Sequence, residues 1–504
     1  MTDKTQTAPA ALSSDQTEVR RQKLDRLIEM GINPYPTRFK RSITNADLAA
    51  KFADLADDTE SGDRVVGAGR VYSSRNSGMF MDVRDAGGKI QIFSHKDTTP
   101  EETRALLPLI DLGDIIGVEG VVRRTKRGEL TVNAQSITML CKTLRPMPEK
   151  YHGIADIEER YRRRYLDVMT NEESKARLQM RSRVLTEIRL FMAQDGFMEI
   201  ETPMLHPVYG GATADPFVTH HNSLDMTMYL RIAPELYLKR ALISGLSDRV
   251  FEVNRNFRNE GLSTRHNPEF TMLEAYWSYA DYTDVMDLVE RMFIRLAGLV
   301  NEAETVTYGE KEISFKGPFK RLKMHEAVKN ATGIDFLAIS EDAAARKAAE
   351  GLGLEVDPSL TWGETLAFVF EEKVEDTLLQ PTHIIDFPKD ISPFAKETDY
   401  DPRLVERFET YCNGWELCNA FSELNNPIEQ RARLEEQVVQ ARARGESDRM
   451  LDNDFLEAMD HGMPTAGGLG IGIDRLIMIL TNAQSIRDVI LFPALRPRPG
   501  ETRT

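Results

Sequence analysis

Apolar residues along the chain fall into two rhythms. From residue 172 to 195, Leu178, Leu185, Ile188 and Met192 recur at helical spacing, and Gly196 ends the run. A shorter helix is predicted over residues 16–30, with Val19, Leu24, Leu27 and Ile28 apolar and Gly31 at the C-cap. Its other face carries Arg20, Arg21, Lys23 and Arg26. Residues 340–351 and 362–375 read as a helical insertion. Between residues 64 and 140 the rhythm shortens to strands. "RVVGAGRVYSSR", "FMDVRD" and "KIQIF" come first, a short helix starts near Pro100, and two or three strands lie within "DIIGVEGVVRRTKRGELTVNAQSITML". "TLRPMPEKYHG", residues 143–153, reads as a linker. Beyond residue 196, strands and helices alternate to the end.

Five short strands with a helix after the third give the order of an OB-fold β-barrel. Such barrels hold single-stranded nucleic acid by stacking bases on aromatic side chains above a basic rim. Phe80, Gln91 and "RRTKR", residues 123–127, could supply the ring, the amide and the cations. A strand phenylalanine is as often core, and a basic helix face is usually only solvated, so neither feature decides alone.

The 504 residues accommodate two or three domains, and no apolar run approaches the roughly 18 residues of a membrane span. The polar start "MTDKTQTAPAALSSDQTEV" lacks an apolar h-region and is expected to be a disordered lead-in, not a secretory signal. Cys141, Cys412 and Cys418 have no metal-like spacing and fit a reducing cytoplasm. A net charge of −16 argues against nucleic acid as a partner of the average surface, although a local basic patch can dominate.

Charge concentrates in "NRNFRNEGLSTRHNPEF", residues 254–270. Read as a strand, Phe251, Val253 and Phe257 point one way, while Glu252, Asn254, Asn256, Arg258 and Glu260 point the other. On a returning strand His266, Phe270, Met272, Glu274 and Tyr276 share a face, opposite Thr271, Leu273 and Ala275. The pair offers a guanidinium for phosphate or carboxylate, a ring for a base, and two acids with a tyrosine for an amine. That is the inventory for a nucleotide plus an amino acid. A salt-bridged surface hairpin is the rival reading, and it leaves Phe270 and Tyr276 on the polar face unexplained.

Two further segments fit this inventory. "TAGGLGIGIDRLIMIL" puts Gly468, Gly470 and Gly472 on one strand face, open to close approach by a ligand, with Asp474 expected to cap a helix beginning at Arg475. Neither GxGxxG nor GxxxxGK[ST] is present, which disfavours Rossmann and P-loop binding. "RFETYCNGWELCNAFSELN" supplies Glu409, Glu416, Asn419 and Glu423, and carboxylates facing a triphosphate need Mg2+ between them. Strict alternation pairs Asn419 with Glu423 but sends Glu416 to the opposite face. A bulge or bend near Cys418 is needed to unite them; without it, Glu416 is a structural acid.

These motifs resemble those of the bacterial class II lysyl-tRNA synthetases, from about residue 16 to "SIRDVILFPALRP". "DGFMEIETPML" resembles motif 1, "FRNEG…RHNPEFTMLEAY" motif 2 and "GLGIGIDR" motif 3, while "APELYLKR" and "NAFSELN" favour the lysine branch. The resemblance implies an α+β multidomain chain: an N-terminal OB-fold that reads the anticodon, and a catalytic domain built on an antiparallel sheet flanked by helices. The expected division is a lead-in and basic helix at 1–62, the barrel at 63–145, a linker at 146–171, and the catalytic domain at 172–504 with an insertion at about 321–380.

The resemblance also implies activation of L-lysine by ATP and transfer to tRNA(Lys), in a cytoplasmic homodimer with Pro203 near its interface. Arg258 would bridge the α-phosphate and the lysine carboxylate. Glu260 and His266 would contact ATP, Phe270 would stack on adenine, and Arg475 would cover its other side or hold the γ-phosphate. Glu409 and Glu416 would carry Mg2+, with more than one ion per site. Glu235 and the backbone near Gly211 would hold the α-amino group; Glu274, Tyr276, Asn419 and Glu423 would line the side-chain pocket; Phe80 and Gln91 would meet the anticodon. An ammonium group in a partly dry pocket needs a carboxylate partner, and Glu423 with Tyr276 provides one. The chain departs from the family at Asp215, where members generally have arginine. Rival readings are another ATP-dependent amino-acid ligase, including the protein-lysylating paralogue without an OB-fold, and a non-catalytic tRNA-binding regulator.

Overall fold

A computed structural model describes residues 14–148, 154–212, 214–443 and 451–498; residues 1–13 of the expected lead-in and part of the linker lie outside them, while residues 14–19 of that lead-in are helical. The chain divides into two compact units, Met1–Ile154 and Ala155–Thr504.

The first unit contains α1 (Ser14–Glu29), α2 (Asn45–Lys51), β1 (Thr59–Arg75), β2 (Phe80–Asp85), β3 (Gly88–Phe93), β4 (Ile115–Arg124) and β5 (Leu130–Cys141). The strands close into a barrel in the order β1-β2-β3-β5-β4, with a short helix, Glu101–Arg104, between β3 and β4. Alternate residues such as Val71, Met81, Val83, Ile92, Ile116 and Val118 fill its interior. The helix α1 departs from the expected apolar stripe: Leu27 is buried, but Val19 and Ile28 are 44% and 57% exposed. Polar anchors replace the stripe. Arg20 is buried and donates to Leu112 O at 2.9 Å, and Lys23 Nζ sits 2.6 Å from Asp111 Oδ1.

The second unit contains α3 (Glu172–Gln194), β6 (Met198–Glu199), α4 (Glu235–Ile243), β7 (Arg249–Phe257), β8 (Glu269–Ser278), α5 (Tyr282–Val300), β9 (Lys320–Lys323), β10 (Thr382–Pro388), β11 (Leu404–Cys412), β12 (Trp415–Ser422), α6 (Pro427–Ala443), β13 (Ala466–Gly472) and α7 (Ile473–Leu480). One eight-stranded sheet runs β9-β10-β11-β12-β13-β8-β7-β6. It is mixed rather than wholly antiparallel. The strand pairs β9/β10 and β6/β7, at the two edges, are parallel, and the pairs between them are antiparallel.

One sheet face is packed by α3, α5 and α7 through Ile188, Phe191, Phe251, Leu273, Val289, Phe293, Ile471 and Leu476. On α3 the burial centres on Val184, Ile188, Phe191 and Met192, and Leu185 only packs at the margin. Asn171 accepts backbone N–H bonds from Glu173 and Ser174 at its start. The segment between β9 and β10 carries the helices Met324–Thr332, Asp342–Glu350 and Trp362–Lys373, with their own core around Phe336, Trp362, Leu366 and Phe370. The opposite face of the central strands forms a cleft.

Candidate active site

The β7/β8 hairpin sets the parity of the cleft. Glu252 pairs with Glu274, Asn254 with Met272 and Asn256 with Phe270. Phe251, Val253, Leu273 and Ala275 thereby enter the core on the other face. Arg258 and Glu260 follow the end of β7, where Arg258 N–H donates to Pro268 O at 2.9 Å. The loop between the strands is gathered by Ser263, whose Oγ accepts from Arg265 N at 3.1 Å and His266 N at 3.0 Å.

The cleft has a volume of ≈ 470 Å³, within the size range of small-ligand sites. Gly211, Glu235, Arg258, Glu260, His266, Phe270, Glu274, Tyr276, Glu416, Asn419 and Arg475 all line it. Glu409 and Glu423 do not; they lie behind its wall at 7% and 0% exposure. Glu409 accepts from Arg407 Nη2 and Tyr411 Oη, each at 2.5 Å. Burial pushes its carboxyl up to about 7, with Arg407 opposing and Glu416 adding to the rise. Glu423 faces Lys239, whose Nζ is 2.6 Å from Oε2.

Arg258 is the cation at the centre. Its Nε is buried with no hydrogen-bond partner, and its guanidinium lies 5.1 Å from the Phe270 ring centroid. Burial lowers its pKa, while Glu260, Glu416 and Glu274 pull it back. A buried guanidinium with a free donor is poised for an anionic ligand. Glu274 is pushed up to about 8, by burial first and then by Glu235, with Arg258 opposing.

Arg475 donates Nη1 to Glu416 O at 3.0 Å and lies 2.9 Å from His266 Nε2 through Nη2. With Nε2 accepting, His266 Nδ1 carries the proton toward Ser263 Oγ at 2.8 Å, and burial followed by Arg475 lowers the imidazole pKa. Asp474 does not cap the α7 helix as expected: the N-cap is Gly472. Asp474 instead accepts from Thr271 N at 2.7 Å and pairs with the buried Arg181, fixing α7 to β8 and α3.

The irregularity needed near Cys418 is present as a bulge. Thr410 pairs with Cys418 but Tyr411 pairs with Glu416, so Leu417 is the extra residue of β12. Leu417 and Cys418 both enter the core, while Glu416 and Asn419 both face the cleft. The β13 glycines divide their roles. Gly470 and Gly472 line the cleft, but a Cβ at Gly468 would overlap Glu423 Oε1 and approach Tyr276 Cε1 at 2.8 Å. That glycine makes room for the chain's own carboxylate rather than for a ligand. Gly211, at φ 85°, packs its backbone on Glu235, where a Cβ would meet Glu235 Cβ at 3.0 Å.

In the barrel, Phe80 and Phe93 stand 4.9 Å apart, and Phe93 stacks with His95 at 5.8 Å. Arg123 covers Phe93 at 5.0 Å. Gln91 is buried, with Oε1 accepting from Thr131 Oγ1 at 3.1 Å. Arg124, counted among the rim cations, is structural: it donates to Leu55, Phe52 and Gly128 carbonyls at 2.6, 2.7 and 2.9 Å.

Sequence reading missed Lys239, Arg407, Tyr411 and the ring pair Phe394 and Phe421 of the cleft wall. Lys239 left a readable signal as the i+4 partner of Glu235 on a helix, and Arg407 and Tyr411 left one as the i−2 and i+2 neighbours of Glu409 on a strand.

A helix-backed sheet with an arginine, buried acids and a glycine-lined strand on its open face, in a chain that also carries an OB-barrel, defines an enzyme of the class II aminoacyl-tRNA synthetase type. The chain belongs to the tRNA synthetases class II (D, K and N), whose family model matches residues 156–496. The OB-fold nucleic acid binding domain model matches residues 65–140. The lysine–tRNA ligase of Rhizobium meliloti is 70% identical over 99% of this chain and 100% of its own length. That of Agrobacterium fabrum is 67% identical over 98% and 99%, and that of Carboxydothermus hydrogenoformans 49% over 95% and 98%. The chain is accordingly an ATP-dependent ligase of the synthetase class.

Proposed function

We propose that the chain activates L-lysine with ATP to lysyl-adenylate and pyrophosphate, then transfers lysine to the 3'-terminal ribose of tRNA(Lys), releasing AMP. The observation that carries this reading is the cleft's charge pattern: Arg258 with an unpartnered Nε, beside Glu235 and Glu274 and backed by Glu423. Anion and cation acceptors stand side by side, as an amino acid joined to a nucleotide requires. A pocket for aspartate would need a cation facing the cleft where this chain has carboxylates.

In the first step a lysine carboxylate oxygen attacks the α-phosphorus, and the bond to the bridging oxygen of pyrophosphate breaks. Arg258 holds both reacting groups and offsets developing charge; Glu235 takes the α-ammonium and Glu423 with Tyr276 the ε-ammonium. Phe270 and Arg475 flank adenine, and Glu260 and His266 hold the nucleotide in register. The chemistry is positioning and electrostatics, with no covalent enzyme intermediate. In the second step the ribose hydroxyl oxygen attacks the activated carbonyl carbon, the bond between that carbon and the phosphate oxygen breaks, AMP leaves with its electron pair, and the hydroxyl proton passes to the departing phosphate or to solvent.

Among the described residues no group of three or more His, Cys, Asp or Glu is placed to hold a metal. Glu416 faces the cleft and lies near enough to Glu409 to raise its pKa, so the two would hold Mg2+ together with substrate phosphates once Glu409 gives up Arg407 and Tyr411. Bound there, Mg2+ would offset phosphate charge. A homodimer about motif 1 is supported by exposed Leu190, Met198, Met204 and Leu205 around that segment. A cytoplasmic location rests on the reduced state expected of the three free cysteines; among the described residues no helix is long and apolar enough to cross a membrane. The barrel speaks against the protein-lysylating paralogue, and the joint presence of Arg258, Glu416 and Arg475 against a non-catalytic regulator.

ATP–pyrophosphate exchange with a panel of amino acids tests the reading. Exchange is expected with lysine and lost by about 100-fold or more in Arg258→Ala. Exchange with another amino acid and none with lysine would overturn the substrate assignment.

A further inference from the structure

Lys239 is a buried cation to which the reading above gives no task. It projects from α4 and is 1% exposed. Its Nζ lies 2.5 Å from Glu235 Oε1 and 2.6 Å from Glu423 Oε2, although Glu423 gains no aligned hydrogen bond from it. The rings of Phe394, Phe421 and Tyr276 surround the ammonium at 4.4, 5.5 and 5.7 Å, and all three line the cleft. Carboxylates and aromatic faces are what binds an ammonium ion out of water. The cleft wall thus already contains one.

The two acids that share this ammonium are those assigned to opposite ends of the substrate. Glu235 is assigned to the α-ammonium and Glu423 to the ε-ammonium. Three buried carboxylates stand here, Glu235, Glu274 and Glu423, and Lys239 is paired with the first and the last. L-Lysine brings two further ammonium groups, and its carboxylate is matched by Arg258.

Resting on the lysine reading of this cleft, we propose that Lys239 is a positioning residue for the substrate: its ammonium ties Glu235 and Glu423 together as fixed acceptors for the two ammonium groups of a diamino acid. The groups facing Glu423 are Lys239 and Glu235 from α4 and Tyr276 from β8, against the Gly468 backbone of β13. Among them only Lys239 opposes the upward push of burial on the Glu423 carboxyl. Lys239 itself is held charged by both acids against the cost of its burial.

The test compares Lys239→Met and Lys239→Arg with the native chain in lysine-dependent ATP–pyrophosphate exchange from pH 6.5 to 9. Loss of the cation raises the Glu423 pKa, so the accepting form returns only as pH climbs. At pH 7, Lys239→Met is expected to raise the KM for lysine at least about tenfold with the KM for ATP unchanged. Because the Glu423 carboxyl sits at about 8 with Lys239 beside it, the ratio of variant to native KM is expected to hold steady below that pH and to fall toward one above it, by up to about tenfold per pH unit. Lys239→Arg is expected to keep the native pH profile. A KM ratio constant with pH would overturn the proposal, since a space-filling side chain predicts that result. A lower KM would also overturn it, by showing that Lys239 competes with the substrate. If Lys239→Met does not fold, Lys239→Arg decides alone: a native-like profile supports the proposal, and a KM raised equally at every pH sinks it. Lysine exchange by the native chain separates failure of this inference from failure of the lysine reading.

Discussion

At the scale of single residues, the cleft is organised by groups whose ionisation the fold has shifted. Glu274 shows the direction of the consequence. Its carboxyl is pushed up to about 8 by burial, then by Glu235, so the folded chain binds this proton more tightly than the unfolded one. Its contribution to stability is therefore complete below the ordinary carboxylate range, and is lost as pH rises from there through about 8. Between pH 6 and 9 the urea midpoint of the native chain is expected to fall, and Glu274→Gln to flatten that fall. An unchanged slope in the variant would assign the titration to another group. His266 is shifted the other way, downward, by burial and by Arg475. A neutral imidazole can accept from Arg475 and still donate to Ser263, which keeps the loop of motif 2 closed against α7.

At the scale of elements, two local departures from regularity build the site. The Leu417 bulge turns Glu416 onto the face that Asn419 already occupies. The glycine at 468 lets β13 pass close to Glu423 and Tyr276, so that Glu423 stays behind the cleft wall while Tyr276 lines it. Gly468→Ala is expected to raise the KM for lysine by about tenfold or more while leaving the KM for ATP near native, because overpacking costs about 1–3 kcal/mol and falls on the lysine end. An equal rise in both constants would mean that the whole sheet had shifted. These elements also mark what was legible in advance. The hairpin parity at Arg258, Phe270 and Glu274 follows from a period of two, and so could be read residue by residue. The irregularity could be placed near Cys418 from the parity conflict between Glu416 and Asn419, one residue from the extra residue Leu417, but periodicity alone does not say whether it is a bulge or a bend. The location of Glu409 and Glu423 behind the wall was not legible either. For Glu409 it depends on Arg407 and Tyr411, two residues away on the same strand, and for Glu423 on Lys239, which reaches it from a helix. The apolar stripe expected on α1 failed for a related reason: Arg20 and Lys23 anchor that helix by polar contacts, which hydrophobic spacing does not report.

At the scale of the whole molecule, a chain of net charge −16 carries a barrel matched to the OB-fold nucleic acid binding domain. The average surface therefore repels the polyanion, and affinity has to come from short-range features. The barrel supplies them as a ladder of Phe80, Phe93 and His95 with Arg75 and Arg123 against the phenylalanine rings. Stacking of a base on such a ring is worth about 1–3 kcal/mol and survives in salt, whereas phosphate contacts weaken steeply. Phe80→Ala is accordingly expected to raise the KM for tRNA(Lys) in aminoacylation by roughly 5- to 100-fold. Lysine-dependent exchange, which needs only the cleft of the second unit, is expected to stay native. The ratio of variant to native KM should also stay nearly constant as salt increases, because the lost term is stacking and not charge. A ratio that shrinks with salt would instead assign Phe80 to the placement of Arg75 beside the phosphate backbone. An equal loss in exchange would remove the anticodon role and make Phe80 a core residue of the barrel.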